Sequence, residues 1–119
     1  MTWTLAALTV TCAVANIAVA VADWGKASFV MANSAEVGVR VEAIPYLAAL
    51  KMAGGLGLLA GFALTPWLGL AAAVGLVLFF VGAVTVHVRT GVLHNIGFPA
   101  AYLLLAVAAT AYFGVVVGG

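Results

Sequence analysis

Four stretches of this chain, Trp3–Ala22, Pro45–Leu64, Trp67–Val88 and Phe98–Val117, are almost free of polar side chains. Each has about the 20 apolar residues that a helix needs to cross a bilayer. Only helices and closed barrels satisfy their own backbone inside lipid, and unbroken apolar runs, rather than alternating short ones, select helices. Composition points the same way. Hydrophobic residues make up 67 % of the chain and charged residues 6 %, whereas a soluble domain carries roughly a quarter of its residues charged. The expectation is an all-α, four-transmembrane-helix bundle, one domain spanning residues 1–119, multi-pass in the cell membrane. A net charge of +1 leaves no electrostatic footprint for phosphates, which excludes nucleic acid as a partner.

The N-terminal stretch contains Ala20-Val21-Ala22, which has the look of a signal-peptidase site. No basic residue precedes it, so a retained membrane helix is the expectation. The single cysteine, Cys12, excludes an intrachain disulfide and a Cys-x-x-Cys redox pair, and its apolar neighbours make it a core filler.

Punctuation sets the limits of the helices. Thr65-Pro66 fits an N-cap followed by proline at the first helical position, and so short a link makes the second and third spans antiparallel neighbours. Thr90-Gly91 ends the third span, and Asn95 or Pro99 begins the fourth. Trp3, Trp67 and Tyr112 fall near one predicted interface, and Trp24, Tyr46 and Tyr102 near the other, as in an aromatic belt. Ala53, Gly57 and Gly61 recur at four-residue spacing in the second span, and Ala71, Gly75 and Phe79 in the third. Such stripes let helices approach closely, within one chain or between copies, and self-association is expected.

The long connection Asp23–Ile44 should carry structure of its own. Asn33-Ser34-Ala35-Glu36 reads as a capping box, with Glu36 and Arg40 as an i,i+4 pair and Val37, Val41 and Ile44 on the opposite side. A short interfacial helix between the first and second spans is therefore expected. The alternation of Val37, Val39 and Val41 would also suit a strand, but the chain offers it no partner sheet.

All seven charged residues, Asp23, Lys26, Glu36, Arg40, Glu42, Lys51 and Arg89, fall on one side of the membrane once the spans are drawn, with His87 and His94 beside them. The positive-inside rule makes that side cytoplasmic and puts both termini outside. Lys51 lies roughly 9 Å beyond Pro45 along its helix, at 1.5 Å per residue. An ionisable residue at that depth either snorkels to the headgroups or serves a function. An antiparallel third span would return His87 and Arg89 to the same edge, within reach of Glu42, Asp23 and Tyr46. Such a cluster could bind a polar headgroup or move protons, or its members could simply pair with one another and with lipid phosphates. Asn16, mid-helix, is expected to hydrogen-bond a neighbouring helix. His87 and His94 come from one segment without cysteine or paired carboxylates at ligand spacing, so neither metal nor haem is expected.

The stretch EAIPYLAALKMAGGLGLLAGF, followed by VGAVTVHVRTG, resembles the DoxX-like membrane proteins. The resemblance covers an opening helix, a loop, a glycine-rich second helix, a short Pro turn and a His-x-Arg exit formed by His87 and Arg89. Lys51 falls where many relatives carry glutamate and others lysine. The resemblance implies a four-helix bundle of about this size and points to a quinone or another lipophile, because the family takes its name from subunits of a quinone-reducing sulfur-oxidation system. It also implies work beside a membrane redox partner, or assistance to the assembly of other membrane proteins.

The leading reading is a subunit that binds a lipophilic small molecule, such as a quinone, at the cytoplasmic side of the bundle. Lys51, His87, Arg89 and Tyr46 would contact the polar end, and Asn16 would line the tail. The second reading is a self-contained membrane enzyme doing acid–base chemistry, such as an isomerisation, on a hydrophobic substrate. Lys51, His87 and Glu42 would then be its catalytic residues. The third is a non-catalytic assembly or scaffold protein.

Overall fold

In the computed structural model, which describes residues 2–119, every apolar run is helical. The long helices are α1 (Thr2–Trp24), α3 (Ile44–Ala63), α4 (Pro66–Thr90) and α5 (Gly97–Gly118); a shorter α2 (Ser28–Glu36) and a 3₁₀ turn (Val41–Ala43) fill the long connection. The four long helices are each apolar and long enough to span a membrane. Polar side chains on these helices turn back to their own backbone, as a lipid solvent demands. The hydroxyls of Thr9, Thr11, Thr85, Thr90 and Thr110 all donate to the carbonyl four residues earlier.

Local chemistry sets the ends. The Thr65 hydroxyl accepts from the Trp67 N–H and Pro66 opens α4. Gly91, with φ +71°, closes α4 in the left-handed conformation, and the Val92 N–H reaches back to the His87 carbonyl at 3.0 Å. Glycine is favoured there because a Cβ would strain the turn. Helix α5 begins at Gly97, between the two expected starts Asn95 and Pro99.

The long helices run antiparallel in the order α1, α3, α4, α5, with α5 packing back against α1. Cys12, Leu58, Leu76, Phe80 and Phe113 form the centre of the core. Helix α3 meets both neighbours almost backbone to backbone. A Cβ on Gly55 would stand 2.9 Å from the Ala13 carbonyl oxygen of α1, one on Gly57 2.6 Å from the Ala72 Cβ, and one on Gly61 2.5 Å from the Gly69 Cα of α4. Two members of the α3 stripe, Gly57 and Gly61, thus serve packing within the chain. Ala53, Ala71 and Gly75 are exposed on the outer surface.

The connection departs from expectation in register. The expected capping box does not form: Asn33 lies inside α2 and Glu36 is its last residue. Glu36 pairs with His94, at 3.0 Å, in place of Arg40. Gly38, with φ +78°, turns the chain after α2, and the N–H groups of Val37, Gly38 and Val39 reach back to α2 carbonyls, so Val37 and Val39, which both line the bundle's cavity, belong to a helix-ending turn rather than a strand. Asn16 bonds its own helix, donating to the Cys12 carbonyl at 2.9 Å, in place of a neighbouring one. Tyr102 also leaves the expected belt: it points inward and donates to the Ala15 carbonyl at 3.4 Å.

The packing generates a contrast. Gly61→Ala must push Gly69 and Phe113 aside and should cost about 1–3 kcal/mol, the usual range for overpacking. Gly75→Ala, with nothing within 4 Å of its Cβ, should be neutral or slightly stabilising. Thermal unfolding of both variants in detergent checks this, and equal melting temperatures would contradict the close α3–α4 contact.

Candidate functional site

The charged end of the bundle encloses a cavity of about 620 Å³, within the range of small-molecule sites. Its wall is mostly aliphatic and aromatic: Val19 of α1, Leu47 and Leu50 of α3, Phe79, Phe80 and Ala83 of α4, and Pro99 of α5. It is not sealed, since Leu50, Gly82 and Val86 line it and are themselves exposed. In a bilayer such a space is open to hydrophobic molecules.

Four ionisable side chains belong to this wall: Asp23, Lys51, His87 and Tyr102. Lys51 Nζ stands 2.6 Å from Asp23 Oδ2, with the side chains only 13 % and 4 % exposed. The contact is a close charge pair whose angles are not those of an aligned hydrogen bond. The ammonium also sits over the Phe79 ring, 5.8 Å from its centroid, at cation–π distance. Lys51 is therefore neither snorkelling freely nor facing lipid. The pair locks the last turn of α1 to the second turn of α3, and the Trp24 indole N–H adds a 3.3 Å bond to the Pro45 carbonyl beside it.

His87 is 6 % exposed. Its Nδ1 lies 2.9 Å from the Ala83 carbonyl oxygen, which can only accept, so Nδ1 carries a proton. A neutral ring then presents a lone pair at Nε2, and Nε2 is buried with no partner among the described residues. Leaving a buried acceptor unpaired costs about 1–3 kcal/mol.

Helix α2 closes the end of the cavity with Phe29, Val30, Asn33 and Ser34. Two polar contacts hold it to the α4–α5 connection. The Asn95 amide donates to Asn33 Oδ1 at 2.6 Å, and His94 meets Glu36. The second pair is exposed and contributes little.

Of the residues expected at the site, Lys51 and His87 come together on the cavity wall. Arg89, Glu42 and Tyr46 are exposed outside it, Tyr46 by 76 %. Asn16 is buried along α1, where its Oδ1 has no partner. Asp23, one of several acidic or polar candidates for Lys51 in the sequence, is the one that pairs with it. Asn33, Ser34, Phe79 and Tyr102 carried no sequence signal for the cavity, because the packing of α2 and α5 is what brings them there.

Four helices long and apolar enough to cross a membrane define a small multi-pass membrane protein. The sequence model of the DoxX-like family matches residues 7–109, and the chain belongs to that family. Neither the curated proteins nor the solved structures contain a match.

Removing one member of the buried pair strands the other. Lys51→Ala should destabilise the protein by about 3–5 kcal/mol, whereas Asp23→Ala combined with Lys51→Ala should recover most of that loss. Denaturation of the two single variants and the double variant measures the coupling. Additive losses would mean that the pair does not form in the membrane protein.

Proposed function

We propose that this chain is a ligand-holding membrane subunit that takes a lipophilic small molecule into the cavity at its charged end. The observation that carries this reading is the coincidence of an apolar space of about 620 Å³ with the buried Asp23–Lys51 pair and the unpaired His87 Nε2 on its wall. An apolar cavity with a few convergent polar groups is the usual form of a site for a small amphiphile. A quinone–quinol couple has the right chemistry, with a ring and tail for the walls and, in the reduced form, hydroxyls for the polar groups, and such a ligand would tie the protein to a membrane redox partner. By the positive-inside rule the site faces the cytoplasm.

The acid–base alternative draws less support from the geometry. Lys51 is engaged by Asp23, and His87 Nδ1 bonds a backbone carbonyl; no carboxylate pairs with that imidazole among the described residues.

Native mass spectrometry of the detergent-purified protein, with lipid extraction of whatever co-purifies, tests the reading. Wild type should retain a lipophile, and Ala83→Phe, which fills the cavity from α4, should lose it while keeping its helical circular dichroism. The Asp23→Ala, Lys51→Ala double variant should retain less than wild type. Identical, empty spectra from all three proteins would move the function to assembly or scaffolding.

A further inference from the structure

Resting on the ligand-holding reading, we propose that the molecule this cavity selects is an uncharged lipophile whose head carries a hydroxyl group, with the hydroxyl proton donated to His87 Nε2. Two features of the wall lead to this class. The first is charge balance. Among the described residues lining the cavity, the charged side chains are Asp23 and Lys51, and they are closed on each other at 2.6 Å. A carboxylate or phosphate head would have to break that pair and strand Asp23. An ammonium head would have to do the same and strand Lys51. Separating buried opposite charges without replacing both partners is strongly unfavourable, so the wall rejects anions and cations alike.

The second feature is the direction of the remaining hydrogen bond. The Ala83 carbonyl accepts from Nδ1–H, so a neutral imidazole has an acceptor left to offer at Nε2, and the described residues supply no donor to it. A ketone, ester or ether head brings only acceptors and would leave Nε2 unpaired. An alcohol or phenol brings the missing donor. Water could fill the role only with further polar partners around it, whereas the cavity wall is mostly aliphatic and aromatic. For a ligand that exists as a quinone and a quinol, the same rule favours the quinol, because only the reduced form carries the hydroxyl.

The test uses three probes of matched tail on the full-length protein in detergent: a dodecyl phenol, its methyl ether and dodecanoate. Binding is followed by tryptophan fluorescence. The phenol should bind about tenfold more tightly than the ether, the value of one well-made hydrogen bond, and dodecanoate should bind more weakly than either. In His87→Phe the phenol-to-ether ratio should fall to about one. Nitrogen NMR of histidine-labelled wild-type protein gives a second measurement that needs no variant: the phenol should shift the His87 Nε2 resonance and the ether should not. Equal binding of phenol and ether, preference for dodecanoate, a ratio unchanged by His87→Phe, or an unmoved Nε2 resonance would each overturn the head-group class and leave the cavity reading standing. Failure of all three probes to bind, in protein that retains its fold, would remove the ligand-holding reading and this inference with it.

Discussion

Glycine on α3 sets how close this bundle can pack, and much else follows from that approach. Gly55 lets α3 settle on the Ala13–Ile17 face of α1, while Gly57 and Gly61 let it settle on Ala72 and Gly69 of α4. In lipid there is no hydrophobic gain from burying one apolar helix against another, so close van der Waals contact has to hold the helices together. The contact is uneven along the helix. Near the Thr65–Pro66 turn small residues and the Phe113 ring fill the space completely. Toward the other end the facing residues become Leu47, Leu50, Phe79 and Phe80, and a cavity opens among them. The tight end and the hollow end are thus two consequences of one gradient in side-chain size.

The ion pair lies where that gradient turns. Lys51 is one turn before Gly54 and Gly55, so the same stretch of α3 that approaches α1 most closely also brings an ammonium to Asp23. A charge in that position would be costly alone, and its partner makes it tolerable. The pairing is also a register device. A shift of α1 against α3 by one turn, about 5.4 Å, would separate the charges, whereas apolar surfaces sliding in lipid would resist such a shift only weakly. The cavity wall thus carries two charges set against each other, with His87 Nε2 and Asp23 Oδ2 both lacking an aligned hydrogen-bond donor among the described residues.

The spans were legible because lipid leaves so few backbone solutions: twenty apolar residues, Thr65-Pro66 and Thr90-Gly91 fix helices and turns without reference to tertiary contacts. Lys51 and His87, which both line the cavity, stand out in the sequence for a related reason, since polar groups at depth contrast with leucine and valine. The rest depended on packing. Arg89 is two residues past His87 and so about 200° further round the helix, at 100° per residue, which carries it to the outside although it shares the same edge in sequence. Tyr46 fails by rotation too: five residues before Lys51 on α3, it emerges on the exposed face. The position of α2 was misread because Asn33 and Glu36 have the spacing of a capping box, but their side chains are used by Asn95 and His94, more than fifty residues later in the chain. No local rule contains that information.

Those long-range contacts give α2 its meaning. A helix that merely rested in the interface would present apolar residues to lipid and need no polar tie to the bundle. Here Asn33 is used twice: its Oδ1 is anchored to Asn95, and the residue forms part of the cavity wall with Val30 and Ser34. The anchor is a neutral hydrogen bond worth about 1 kcal/mol, supplemented by an exposed pair worth less. By contrast, the opposite end of the bundle is held by interdigitated backbone. Helix α2 over the cavity is thus held by two light polar contacts together with the burial of Val30 and Val37. Lifting α2 would break those two polar contacts and expose the buried Val30 and Val37, whereas the Asp23–Lys51 pair and the glycine contacts lie on other helices.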